Sequence, residues 1–441
     1  MEQILSSLLP FTVYPLVAAA IYAIYGSLRR RGSERSVQVR QDAVAAGLTE
    51  PASLHPVIDP ARCIGCASCV YACPEALHEV LGIVDAKAQL INPTHCIGHG
   101  ACRTACPMDA ITLVFGTEKR GVDIPLVKPN FETNVPGMFI AGELGGMGLI
   151  RNAIEQGRQA MEAARKLITP NAGPEVLDVL IVGAGPSGFS ASLTAMSHKL
   201  KFRTIEQDSL GGTVAHFPRG KLVMTKPVQL PMVGEVKFTE TTKEELLAFW
   251  ESVVAKTGLQ IQFQERIESI ERGPRGFTIK STRGNYEAQT VMLCIGRRGT
   301  PRTLDVKGEN MNKVVYRLID PEQYRGQHVL VVGGGDSALE AATSIAAEPG
   351  TTVTISYRSD GFGRAKDKNR KRVAAAEQNG RLQVLLRSGV KEITETHVRV
   401  EQDNVIHNLP NDAVIVCAGG ILPTAFLKEC GIEVETKYGT A

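Results

Sequence analysis

Two short runs constrain this chain more than anything else in it. CIGCASCVYACP, Cys63 to Pro74, sets four cysteines at C-x2-C-x2-C-x3-C and follows the last with proline. CIGHGACRTACP, Cys96 to Pro107, repeats that layout with His99 at the second position. The copies start 33 residues apart, at 63 and 96, and their lead-ins, DPARC and NPTHC, also match. Matching flanks mark an internal duplication rather than a chance cluster. Seven of the ten cysteines lie in this block, while Cys294, Cys417 and Cys430 stand alone and read as core residues. Disulfides and zinc are the competing uses. Zinc sites pair C-x2-4-C units at wider spacing and have no need of a proline after each fourth cysteine.

The two runs resemble those of bacterial dicluster ferredoxins. In that family the first three cysteines of a run hold one iron–sulfur cubane and the fourth crosses to the other. The resemblance implies Cys63, Cys66, Cys69 and Cys106 around one 4Fe-4S cluster, with Cys73, Cys96, His99 and Cys102 around the second, in a domain over 58–116. His99 is expected either to ligate iron or to leave its corner open as a 3Fe-4S cluster, a bystander histidine being the plain alternative. Imidazole in place of thiolate removes one negative charge, so the potential should rise and make this cluster the electron sink or exit. Thiolates kept free for iron imply a reducing compartment.

Gln3 to Leu28 carries no charge and is followed at once by Arg29-Arg30-Arg31. That length suits a bilayer, and the arginines favour the cytoplasmic side. The expectation is a single-pass anchor over 1–31 in the inner (cytoplasmic) membrane, a polar tether over 32–57, and all later domains in the cytoplasm. An amphipathic or partner-docking helix is the alternative. The net charge of +3 is nearly balanced and no basic, aromatic-interleaved patch argues for nucleic acid.

Further along, DVLIVGAGPSG (Asp178 to Gly188) reads as a buried strand entering G-x-G-x-x-G. Gly183 suits the tight turn, Gly185 lets backbone approach a pyrophosphate, and Gly188 lets the helix pack closely. Glu206 ends the next strand, placed to accept hydrogen bonds from an adenosine ribose. A second run, HVLVVGGGDSALEAA, supplies Gly333, Gly335 and Ala338, and its next strand ends on Tyr357-Arg358. Arg358, helped by Arg364, suits a 2′-phosphate and favours NADPH over NADH, although Asp360 stands close by.

The pair of fingerprints, with Gly211, Gly212 and Thr213 (GGT), CIGRRGTP and GGGDSA, resembles thioredoxin-reductase-like flavoproteins, in particular their ferredoxin–NADP reductase branch. The resemblance covers about 118–441 and implies FAD in the first site and NADPH in the second. The family's dithiol has no counterpart in VVYRLIDPEQYRGQH, so reduction of disulfides by a dithiol relay is not expected. The family's closing segment, here TNVPGMFIAGELGG with Gly142 and Glu143, stands ahead of the first fingerprint. That order implies a circular permutation, with Glu143 replacing the family aspartate at the ribityl chain. The expected fold is therefore an α/β flavoprotein of two dinucleotide-binding domains plus a small α+β dicluster ferredoxin domain and the N-terminal transmembrane helix. Its parts are the closing segment over 117–172, FAD domain over 173–300, NAD(P)H domain over 301–422 and a return to the FAD domain over 423–441.

The implied function is NADPH-dependent electron transfer through FAD and two iron–sulfur clusters to a redox partner protein, ferredoxin-like or a membrane or oxygenase component, with a homodimer allowed. The other readings are a flavin-dependent quinone or small-molecule reductase at the membrane, and an electron-entry subunit of a larger complex. No side chain is required as acid, base or nucleophile, because hydride transfer belongs to the cofactors.

Overall fold

The computed structural model describes residues 2–439 apart from 46–47, 52–53, 119–120, 146–147, 171–172, 218–221, 225–226, 238–239, 298 and 364. The chain divides into two compact units, 1–117 with 439–441, and 118–438.

In the first unit the duplication is visible in the backbone. The short helices Ser68–Tyr71 and Ala101–Thr104 follow residues in the left-handed conformation, Ala67 (φ 63°) and Gly100 (φ 81°). Gly65 and Gly98 are left-handed as well, so Cys66 and His99 sit between equivalent turns. A left-handed alanine costs roughly 1–2 kcal/mol, which the ligand loop around Cys66 sustains. Strand His55–Ile58 runs antiparallel to Ile111–Val114, and Leu81–Val84 forms a hairpin with Lys87–Leu90. Cys63, Cys69, Cys73 and Cys102 are buried in one small core with Val80, Leu81, Ala88, Ala110 and Ile111.

The N-terminal segment corrects the expected anchor. Glu2–Ala45 is one helix of 44 residues that does not stop at the arginines. At 1.5 Å per residue it is about 66 Å long, twice a hydrocarbon core. No helix of the described residues is long and apolar enough to cross a membrane. The uncharged stretch is one section of a longer helix, which runs on through Arg29-Arg30-Arg31, Glu34, Arg35, Arg40 and Asp42 to Ala45. The membrane partner and inner-membrane location inferred from that span fall with it. Nor do residues 32–45 form a tether. Ser36 and Ala43 are buried, Gly82 lets Ser36 approach the hairpin, and Arg40 donates to Gln89 Oε1 at 2.6 Å.

The second unit contains two sheets built around parallel strands, as expected for paired nucleotide domains. In the first, strands are ordered 261–262, 202–205, 176–182, 285–293, 276–281 and 267–273, and Met138–Ile140 joins the far end of 285–293. That short strand lies parallel, with Val291 opposite Met138 and Leu293 opposite Ile140. Val176–Val182 is parallel to the same strand, with Val182 also opposite Leu293. Such all-apolar runs suit a sheet covered on both faces. The second sheet orders 314–315, 413–416, 328–332, 352–357 and 382–386, all parallel. Finally, Val434–Lys437 pairs antiparallel with Val122–Pro125, Val434 opposite Pro125 and Lys437 opposite Val122.

Candidate cofactor-binding sites

A cavity in the first unit is lined by Cys63, Cys66, Cys69 and Cys106, together with Ile58, Ile64, Ala67, Ala88, Met108, Ala110 and Ile111. Its four sulfurs are three from the first run and the last from the second. Among the described residues no three His, Cys, Asp or Glu side chains converge on a point for a single metal ion. The cavity and that absence are compatible, because ligands of a cubane surround it and do not meet at one atom. The donor set fits a 4Fe-4S cluster: four cysteines, an otherwise apolar wall and backbone N–H groups aimed at sulfur. Ala88 N donates to Cys63 Sγ at 3.3 Å and Ala110 N to Cys106 Sγ at 3.4 Å. Bonds of this kind disperse thiolate charge and raise a cluster's potential.

The remaining ligand candidates also cluster. Burial pushes the Cys96 thiol up to about 11, with Cys102, Cys73 and Glu75 adding as neighbouring charges. Burial likewise raises Cys102, again with Cys73 beside it, and raises Cys73 itself. Cys69 is pushed up to about 11 by burial, with smaller contributions from Cys102, Cys63 and Cys66. Cys66 moves the other way, lowered by its hydrogen bond with Ser68. His99 Nε2 is buried, in the repeat position of the exposed Cys66 sulfur. Lone thiols behave as core: burial pushes both Cys294 and Cys430 up to about 12.

In the second unit the three glycines of the first fingerprint each have a distinct reason to lack a side chain. Gly183 has φ +104° and a Cβ there would stand 2.5 Å from Cys294 O. A Cβ on Gly188 would meet Gly183 O at 1.8 Å, so strand and helix touch through it. Gly185, which precedes the helix Pro186–Ser197, faces only Gly212 and Gly211 at 3.9–4.0 Å. The turn Gly212–Val214 thus lies over the fingerprint, carrying Thr213, and Gly211 N donates to Ala184 O at 2.9 Å. Glu206 is buried at the end of Phe202–Ile205 and accepts from Ala184 N at 2.7 Å and Asp208 N at 2.9 Å. Burial raises its carboxyl, and those two N–H groups oppose the rise.

The closing segment meets this loop. A Cβ on Gly142 would be 2.6 Å from Ser187 Oγ, and Gly142 N donates to Gln156 Oε1 at 2.9 Å. Glu143 opens the turn Glu143–Gly145, with its Oε1 against Gly148. The following helix, Ile150–Arg165, packs on the fingerprint helix through Gly157, whose Cβ would lie 2.0 Å from Ser187 O. Ser187 and Gln156 were not among the sequence candidates. Both are common polar residues inside helices, and only the fold shows that they lock two distant segments together.

At the second fingerprint Gly333 has φ +140° and a Cβ would meet Cys417 O at 2.4 Å. Gly335, φ −93°, precedes the helix Asp336–Ile345 with open space around it, and Ala338 is fully buried. The helix N-terminus and the bare backbone beside it suit a pyrophosphate. Arg358 is exposed just beyond Thr352–Tyr357, while Arg364 lies outside the described residues. Sequence reasoning passed over what holds this region: Asp336 Oδ1 accepts from Lys366 N at 2.8 Å and Asn369 Nδ2 at 2.7 Å. Tyr357 stacks on Phe362 at 5.7 Å and covers Gly334.

This architecture is that of a two-nucleotide flavoprotein carrying an iron–sulfur module. Residues 180–440 match the family described as pyridine nucleotide-disulphide oxidoreductase, and residues 55–107 match a 4Fe-4S dicluster domain. The chain belongs to the pyridine nucleotide-disulphide oxidoreductase family. It is similar to the ferredoxin–NADP reductase of Ignicoccus hospitalis, 29% identical over 268 residues, covering 59% of this chain and 83% of that one. The ferredoxin–NADP reductase of Thermus thermophilus is likewise 29% identical, covering 58% and 77%. In structure the chain is similar to the bacillithiol disulfide reductase of Staphylococcus aureus, with a TM-score of 0.52, 24% identity, and 59% and 81% of the two chains covered. That likeness speaks to fold. Together the matches define a flavin and iron–sulfur oxidoreductase of the ferredoxin–NADP and thioredoxin reductase type.

Proposed function

We propose that this chain takes a hydride from NADPH into FAD and passes the electrons one at a time, through two iron–sulfur clusters, to a protein acceptor. The observation that carries the reading is the cavity lined by Cys63, Cys66, Cys69 and Cys106 in a chain with two nucleotide fingerprints. A flavin supplies the conversion between two-electron and one-electron chemistry. What the protein contributes is placement. Gly183, Gly185 and Gly188 leave backbone open to the FAD pyrophosphate, Glu206 offers its remaining lone pairs to the ribose, and the Gly211–Thr213 turn closes over the loop. Gly142 and Glu143 reach the same region through Ser187. Gly333, Gly335, Ala338 and Arg358, with Arg364, serve NADPH.

We read the flavin half as circularly permuted. Supporting this, Met138–Ile140 extends the sheet beside 285–293, Val434–Lys437 pairs with Val122–Pro125, and the family match starts only at 180. For the second cluster we propose Cys73, Cys96, Cys102 and His99 as ligands, with His99 binding iron or leaving a three-iron cluster, and a raised potential that makes it the sink. The relatives named ferredoxin–NADP reductase support a ferredoxin-type acceptor. An acceptor screen of the iron-loaded, flavin-loaded protein tests the whole. NADPH should drive rapid reduction of an added ferredoxin, and turnover confined to quinones would overturn the reading.

A further inference from the structure

The two cluster sites differ in how they meet solvent. Cys73 and Cys102 are buried, Cys96 is half-buried and His99 Nε2 is covered, whereas Cys66 is exposed. Around Cys66 the wall of the cavity itself reaches the surface, with Ile64 58% and Met108 45% exposed. Tyr71, two residues past Cys69, is 84% exposed. Large apolar side chains left in water around a redox edge suit an interface that forms and parts repeatedly.

Charge says what the partner is. Arg29 Nη2 donates to Gly65 O at 3.2 Å and Lys87 Nζ to Cys63 O at 2.6 Å, so both cations touch the ligand loop through neutral carbonyls. Arg30 and Arg31 follow Arg29 on the same helix. Arg62 also borders the loop, answered by Asp59 at 3.9 Å and sitting on Asp109 O. Four thiolates make an all-cysteine cubane net negative, which by itself would repel an anionic partner. The cations Arg29, Arg30, Arg31 and Lys87 outnumber the exposed Asp85 and Asp109 beside the loop, offset that field and leave a basic excess about an apolar centre.

We propose that the face formed by Ile64, Cys66 and Met108, bordered by Arg29 and Lys87, docks a small acidic one-electron carrier protein and is where electrons leave this chain. The proposal deepens the function proposed above and rests on its assignment of a cluster to Cys63, Cys66, Cys69 and Cys106. It moves the exit from the His99 cluster, which the potential alone would favour, to the cluster whose ligand is at the surface. One electron passes from the reduced cluster to the oxidised carrier, with no bond made or broken.

The test uses the full, cluster-loaded protein and two probes: a purified acidic 2Fe-2S ferredoxin, and basic cytochrome c as the charge control. Calorimetry on the oxidised proteins reads binding without NADPH, and stopped-flow mixing of dithionite-reduced protein, freed of excess reductant, reads transfer. The double variant Arg29→Gln with Lys87→Gln removes both charges and keeps a polar side chain at each position. Affinity for the ferredoxin should fall about tenfold at low salt, with the difference shrinking at high salt as screening removes the charge term. Ile64→Ser should weaken binding at every salt concentration. Cluster EPR signals should be unchanged in the double variant. Wild-type binding by the double variant, affinity that rises with salt, or preference for cytochrome c would each overturn the proposal. Absence of clusters in the parent protein would instead overturn the reading on which it rests.

Discussion

Gly188 and Gly335 occupy nucleotide loops of the same design, yet their neighbours predict opposite failures. Alanine at Gly188 drives a Cβ to 1.8 Å from Gly183 O, so backbone must move. Gly188→Ala should destabilise the protein by about 1–3 kcal/mol and release flavin, read as a lowered melting temperature and lost yellow absorbance. Gly335→Ala meets nothing within 4 Å at an ordinary φ, so the fold should melt as before while NADPH binds at least several-fold more weakly. Arg358, exposed beyond its strand, is proposed for the same site. NADPH should bind more tightly than NADH, and Arg358→Glu should narrow or reverse that preference, since a carboxylate repels a 2′-phosphate and accepts from a 2′-hydroxyl. Equal affinity for both in the parent protein would remove Arg358 from the site. At His99, the equivalent left-handed turns around it and Cys66 mean that His99→Cys restores a thiolate without new backbone strain. The potential of one cluster should drop while flavin reduction by NADPH stays unchanged; unaltered cluster EPR and potentials in both His99→Cys and His99→Ala would make the histidine a bystander.

At the scale of elements, the pairing of Val434–Lys437 with Val122–Pro125 joins opposite ends of the second unit. If the flavin half is a rearranged closed domain, its present ends are a matter of connectivity rather than of packing. A chain in which residues 118–170 are moved to follow Tyr438, after a short linker, should fold and bind one FAD, checked by absorbance and a flavin-dependent melting shift. A soluble, folded product with no flavin affinity would contradict the permutation. How far such elements can be read from residues depends on whether they carry their own periodicity or turn chemistry. LIVGAGPSG and LVVGGGDSA state strand, turn and helix in one short run each, and the glycine at each turn has the steric reason its position suggests. TNVPGMFIAGELGG can be placed by its internal pattern, and its strand at Met138–Ile140 lies in the first fingerprint's sheet. The N-terminal helix cannot be placed in the same way. An uncharged stretch does not say where its helix ends, and the burial of Ser36 and Ala43 depends on contacts far along the chain that no local pattern announces. Gln156, Ser187 and Asn369 are illegible for a related reason: their roles come from what they touch across the fold, and a lone polar residue in a helix carries no mark of it.

For the whole molecule, the account holds that one chain joins a hydride-accepting half to a one-electron half. Its nucleotide loops and its cysteine-lined cavity have separate local explanations, and only electron flow between them requires all to be present together. Anaerobic titration of the fully loaded protein with NADPH, followed by visible absorbance and EPR, measures that flow directly. A two-electron flavin and two one-electron clusters should consume about two equivalents of NADPH per chain, and the signals of reduced clusters should grow in as the titration completes. An end point at about one equivalent, with the flavin bleached and the clusters still oxidised, would contradict the account.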